Sequence, residues 1–316
     1  MKRTAIFAWV WLAASTLAVA APLQPEHVSA DAKWVFHIDF EALRDTSLAQ
    51  KLREEEPQAV RGAIEWLQKE YGIDLREDLN GLTAYSDTFE EHTGAIVLYA
   101  AYDRDKVQAK ISKQNAKETK WQNYTFYTWN VKDRKDADHE ITVVLVDDEK
   151  TVFASSHERA QKALQLLAGK GESLARPSAA LAAEVSKDSV PPGAAVYGAA
   201  IDLGELKRRE HAFPILQRHK RVTWAFGEHQ GELFETATFV AESEEVAEEM
   251  DKVLQGAMAL VKLWANNKEN LTSIADATKI TREGDTVKLS WRANVPTVLA
   301  AIDEFKQQVQ ENYRKQ

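Results

Sequence analysis

Trp34-Val35-Phe36-His37-Ile38-Asp39, followed by Phe40-Glu41-Ala42-Leu43-Arg44, decides the fold. The first six residues have the aromatic and β-branched composition of a strand. Asp39 stands where its carboxylate can cap the helix that the next five begin. The same plan returns at Tyr197-Gly198-Ala199-Ala200-Ile201-Asp202 and Leu203-Gly204-Glu205-Leu206-Lys207, keeping the Ile-Asp pair, the apolar residue after it, the Leu and the basic residue. A further correspondence lies downstream. Asp148-Glu149-Lys150-Thr151-Val152 turns into a strand and a helix from about His157, and Glu283-Gly284-Asp285-Thr286-Val287 turns into a strand and a helix from Pro296. Between these ends, a strand from Ala95 to Tyr102 precedes a helix from Asp105 to Ser112, and a strand from Leu233 to Ala241 precedes one from Glu244 to Asn266.

The expected fold is therefore α+β, with two related halves, each a mainly antiparallel sheet with helices packed on one face. The halves run from 21 to 170 and from 194 to 316. Segment 171–193 connects them, broken by Gly171, Pro177, Pro191, Pro192 and Gly193 and holding a short helix from Ser178 to Ser186. Helical stripes fill in the rest. Behind a Ser243 cap, Val246, Met250, Val253, Ala257, Leu260, Val261 and Trp264 share one face; Pro57 opens a helix carrying Val60, Ile64, Leu67 and Tyr71; Pro296 opens one carrying Val298, Ile302, Phe305 and Val309. Ser155 and Glu158 suit a capping box before Ala160, Ala163, Leu164 and Leu167. These faces read as core, with a partner-binding groove helix as the competing reading.

At the N-terminus Lys2 and Arg3 precede an apolar run from Ala5 to Ala14, and Ala18-Val19-Ala20 supplies the small residues of a cleavage site before Ala21. Residues 1–20 thus read as a signal peptide, too short in its apolar run to cross a bilayer, and the product is expected in the periplasm or outside the cell. Loss of Lys2 and Arg3 takes the formal net charge from -9 to -11, which disfavours nucleic acid and anionic lipid surfaces as generic partners. No later run approaches the length of a membrane span. The chain has no cysteine, which excludes disulfides, thiolate nucleophiles, cysteine-ligated metal and a lipid on an N-terminal cysteine. Asn123-Tyr124-Thr125 and Asn270-Leu271-Thr272 are formal glycosylation sequons, relevant only in a eukaryotic host.

Several residues invite chemistry. His37 and Asp39 lie two apart on a strand and share a face, as a base and its orienting carboxylate do; the internal copy retains the Asp but replaces His37 by Ala200, which favours a structural cap. His211, His219 and His229 are too widely spaced for a helical or single-strand metal pair. Asp133, Asp136, Asp138, His139 and Glu140 lack the glycine and the rhythm of a calcium loop. Lys207, Arg208, Arg209, Arg218, Lys220 and Arg221 form a basic segment that suits an anionic polymer, although Glu205 and Glu210 interleave it as in a solvated loop. From Trp121 to Trp129 the chain alternates as one strand. That places Trp121, Tyr127 and Trp129 together on a face that either packs against Ile141, Val143 and Leu145 or presents a ligand surface. No nucleophile elbow, zinc helix, phosphate loop or dinucleotide fingerprint occurs, so no cofactor is indicated.

The stretch Ser29-Ala30-Asp31-Ala32-Lys33 leading into Trp34–Leu43, and the closing Thr281-Arg282-Glu283-Gly284-Asp285-Thr286-Val287-Lys288-Leu289-Ser290, resemble the two ends of a family of uncharacterised exported bacterial proteins, planctomycete-like in origin. The resemblance implies no activity and transfers no functional residue. The leading functional expectation is a non-catalytic binding or scaffold protein of the bacterial envelope, its partner an envelope protein or polymer. The alternatives are a carrier or sensor of an apolar ligand at Trp121, Tyr127 and Trp129, and an exported hydrolase centred on His37 and Asp39.

Overall fold

The computed structural model describes residues 22–54, 58–132, 137–208, 215–265 and 268–314. The proposed signal segment, with Ala20 and Ala21, lies outside the described residues, as do Pro57, Asp133, Asp136, Arg209 and His211.

The strand expected at the start is β1 (Trp34–Asp39), and Asp39 caps α1 (Phe40–Arg44) by accepting the Ala42 N–H at 2.8 Å. The chain continues through α2 (Ser47–Glu54), α3 (Gln58–Tyr71), β2 (Leu79–Ser86), β3 (Ala95–Ala100), α4 (Arg104–Ser112), β4 (Lys117–Trp121), β5 (Tyr124–Lys132), β6 (Asp138–Leu145), β7 (Lys150–Ala154) and α5 (His157–Leu167). After the connecting segment come β8 (Ala194–Ile201), β9 (His219–His229), β10 (Glu232–Ala241), α6 (Glu244–Trp264), α7 (Glu269–Ala277), β11 (Lys279–Glu283), β12 (Thr286–Asn294) and α8 (Val295–Arg314). This is a mixed α+β fold.

The twelve strands of the described residues join one antiparallel sheet in the order β11-β12-β10-β9-β8-β1-β2-β3-β7-β6-β5-β4. Its central pair is β1 against β8, with Trp34 opposite Ala200 and Ile38 opposite Val196, so the regions on either side of the connecting segment share a single sheet. Outward from that pair the order is β1-β2-β3-β7-β6-β5-β4 on one side and β8-β9-β10-β12-β11 on the other. Both edge strands, β4 and β11, are five residues long and carry lysine, which discourages further strand addition.

Helices lie mainly on one face. There α4 covers Tyr127, Val143 and Leu145, α6 covers Phe239 and Val287, and α7 with α8 covers Leu233 and Trp291. The opposite face is covered by α5 and by the connecting segment. Ala160, Ala163, Leu164 and Leu166 of α5, with Leu174, Leu181 and Val185, bury Val35, Tyr85, Val97, Phe126, Val144 and Tyr197. Fully burying each of these Val, Leu and Phe side chains contributes about 1.5–3 kcal/mol.

Four local expectations are corrected. The stretch from Ser178 to Ser186 is a string of tight turns, in which the Ala182 and Glu184 N–H groups reach the Ala179 and Leu181 carbonyls. It still buries Leu181 and Val185, because apolar packing does not require a regular helix. The cap of α5 is Ser156, whose hydroxyl accepts the Arg159 N–H at 3.2 Å, while Ser155 accepts the Gly94 N–H. Along α6 only Val246, Ala247 and Met250 are buried; Val253, Leu260 and Leu263 are 52, 68 and 73 % exposed, since the helix runs past the strands that cover its first turns. Finally, Trp121 to Trp129 is not one strand: Gln122, at φ 51°, turns the chain between β4 and β5, and Trp121 pairs with Tyr124.

Candidate functional site

That turn separates the rings expected together. Trp121 packs with Phe126 and Tyr124 on the α5 face, its ring edge-on to Phe126 with centroids 6.2 Å apart. Tyr127 and Trp129 pack beneath α4 with Ile111, Val143 and Ile141. Burial pushes the Tyr127 phenol above its ordinary pKa, and the Glu118 carboxylate adds to the effect. These aromatics are packed side chains on two faces.

The hairpin nevertheless contributes to a cleft through its far end. On the helix-bearing face, strand registers align one apolar residue per strand. Ala84 of β2 faces Ile96 of β3, Ile96 faces Phe153 of β7, and Ile141 of β6 and Val131 of β5 follow on the same face. Together with Trp34 of β1 they line an open cavity of about 270 Å³. Ile96 and Val131 are 38 and 39 % exposed, so none of the described residues covers this floor.

Polar groups stand only at its rim. The loop from 87 to 94 closes one side, anchored where the Trp34 indole N–H donates to the Thr88 carbonyl at 2.9 Å. Gly94, at φ +125°, is required there: a Cβ would stand 2.6 Å from the Tyr85 carbonyl oxygen. His92, itself at φ 58°, stacks on His139 of β6 with ring centroids 3.8 Å apart. An apolar floor with imidazole and hydroxyl groups on its margin accommodates an apolar group and orients a polar end.

The other candidates separate. His37 and Asp39 are both buried. The His37 Nδ1 lies 2.9 Å from the Thr83 hydroxyl across β1 and β2, and Asp39 serves α1, so the pair is built into the sheet. His219 and His229 stand at opposite ends of β9, about 33 Å apart along the strand. Among the described residues no group of three or more His, Asp or Glu could hold a metal ion. In the basic segment Arg218, Lys220 and Arg221 each face a carboxylate, of Glu249, Asp285 and Glu184. Among the described residues no helix is long and apolar enough to cross a membrane.

No protein-family model matches the chain, and no curated protein is similar to it. Among solved structures, crystal forms I, III and IV of TP0453 align with TM-scores of 0.47, 0.48 and 0.45 and identities of 13, 10 and 12 %. Each alignment covers 90 % of this chain and 98, 99 or 97 % of TP0453.

Proposed function

We propose that this chain is an exported, non-catalytic binding protein of the bacterial envelope that receives an apolar group in the cleft floored by Trp34, Ile96, Val131 and Phe153. The exposed floor carries the proposal: an apolar surface left open to water costs the free protein hydration free energy that a ligand recovers. Export rests on the leader ending at Ala20, and a site in the periplasm or outside the cell follows from it. An internal duplication, with units 21–170 and 194–316 joined by 171–193, is supported by the like order of the first five strands outward from β1 and the five outward from β8; β5 and β4 have no counterpart.

Nile red, a neutral apolar dye, tests the cleft. Saturable fluorescence enhancement is expected with the intact protein, reduced at least tenfold in affinity by Ile96→Glu or Val131→Glu, which alter exposed side chains and leave the core intact. Leu260→Glu, on the overhanging part of α6, is the control. Absence of saturable binding, or binding lost in Leu260→Glu but kept in Ile96→Glu, refutes the assignment.

A further inference from the structure

On the face opposite the cleft, at the far end of the sheet, β10, β12 and β11 bring together a set of side chains that the preceding reading does not use. Strand register places Thr236 of β10 and Lys279 of β11 on either side of Ser290 of β12, and Phe234 opposite Arg292. Lys288 and Arg292 flank Ser290 at two residues' distance along β12, about 7 Å each way, and on the same face because side chains alternate. These six residues line a cavity of about 420 Å³, closed on one side by Pro191 at the end of the connecting segment.

The charge of this cavity is unusual for the chain that holds it. The sequence carries a formal net charge of -9, and Arg218, Lys220 and Arg221 of the other basic segment are each paired with a carboxylate. Among the described residues, Lys279, Lys288 and Arg292 make no ion pair with a carboxylate; the Arg292 guanidinium lies 5.3 Å from the centroid of the Phe234 ring. Among the described residues the one acid lining the cavity, Glu235, is committed elsewhere. It points to the helix-bearing face, where its two oxygens accept the indole N–H groups of Trp224 and Trp291 at 2.7 Å each. A lysine on edge strand β11 has an ordinary purpose in blocking strand addition, but that does not extend to Lys288, which stands between Thr238 of β10 and Thr281 of β11, or to Arg292, which pairs with Phe234 of β10 beyond the end of β11. Like charges on neighbouring positions of one sheet face are mutually destabilising, so three unneutralised cations around one hydroxyl call for a counter-charge from outside the chain. The Thr236 hydroxyl is also shielded from water and without a partner.

We propose that this shelf binds a phosphate-type oxyanion, with Lys279, Lys288 and Arg292 supplying charge and the Ser290 hydroxyl donating to a central oxygen. A multivalent tetrahedral anion suits three cations converging from two strands, and the Arg292 fork offers paired N–H donors to two of its oxygens. Phe234 and Pro191 give the anion an apolar margin, which also admits a phosphate carried on a larger molecule. This inference is independent of the apolar cleft.

Inorganic pyrophosphate titrated into the intact protein by calorimetry, at low ionic strength, provides the test. One saturable site is expected. Arg292→Ala and Lys288→Ala each weaken it about tenfold, Ser290→Ala weakens it less, and the triple variant Lys279→Ala/Lys288→Ala/Arg292→Ala abolishes it. Arg292→Lys, which keeps the charge but loses the fork, falls between wild type and Arg292→Ala. Unchanged Nile red binding and circular dichroism in the triple variant confirm that the fold survives. Cosedimentation with phosphatidylcholine vesicles containing phosphatidylglycerol distinguishes the sources: vesicle binding abolished by the triple variant identifies a lipid phosphate, and pyrophosphate binding alone a soluble one. No saturable binding of either probe, or equal binding by wild type and the triple variant, overturns the proposal.

Discussion

Replacing Glu235 probes the half of the sheet formed by β9, β10 and β12. Its carboxylate joins three strands: Trp291 stands directly opposite on β12, Trp224 diagonally on β9, and each indole N–H donates to a different oxygen at 2.7 Å. A hydrogen bond to a charged group contributes about 1.5–3 kcal/mol net, and the low end applies to a half-buried acceptor, so the pair is worth about 3 kcal/mol. Glu235→Ala removes both bonds and leaves two part-buried indole donors unpaired. At about 2–3 °C per kcal/mol for a chain of this length, Tm falls by about 6–9 °C. Glu235→Gln separates acceptance from shape: its amide oxygen satisfies one indole, but its NH2 group meets the other donor to donor, so at least half of the loss remains. Urea denaturation followed by tryptophan emission measures both variants. If each unfolds within about 0.5 kcal/mol of wild type, the carboxylate clamp does not hold these strands and the reasoning fails.

Two further predictions follow from the packing. Gly227→Ala places a Cβ 2.0 Å from the Gly193 carbonyl oxygen and 2.8 Å from the Ala194 Cα, backbone atoms that cannot rotate away, and destabilises by about 3 kcal/mol; Gly62→Ala, on an exposed helix with open space around it, stabilises by about 0.5–1 kcal/mol, and urea midpoints check both signs. Burial holds the His219 imidazole below its ordinary pKa, with Nδ1 bonded to the Ile215 carbonyl and Nε2 buried without a partner, so the unfolded chain takes the proton first. Stability is therefore full above the ordinary imidazole pKa and declines as pH falls below it; between about pH 7.5 and about pH 5.5 the wild type loses more unfolding free energy than His219→Phe, and equal losses refute the assignment.

What the sequence disclosed followed the range of each signal. Asp39 capping α1 and Ser243 capping α6 depend on three or four neighbouring residues, and the sequence shows both. The apolar stripe of α6 was also visible, but where it ceases to be buried depends on where β10, β11 and β12 end beneath it. The β4–β5 turn was missed because Gln122-Asn123 carries no glycine and the alternation continues in appearance across it, although the parity of the faces changes there. The cleft joins Trp34, Ala84, Ile96, Val131, Ile141 and Phe153 through five strand registers, and no local pattern announces such a meeting. For the cation shelf a partial signal existed. Lys288, Ser290 and Arg292 recur at the strand period with no acid among them, but the absence of counter-charge emerges only when the neighbouring strands are in place.

The central pairing of β1 with β8 has a kinetic consequence. It joins residues roughly 160 positions apart, whereas most other neighbouring strands are joined by hairpins or short excursions, so its closure carries a larger loop entropy and follows the assembly of the strands on each side. Until it closes, β1 and β8 are unprotected edges. Each is predominantly apolar and without lysine, and each can accept its complement from another copy of the chain as readily as from its own. Refolding at high concentration therefore favours domain-swapped dimers that satisfy the same ladder between molecules, and dilution during refolding shifts the product toward the monomer.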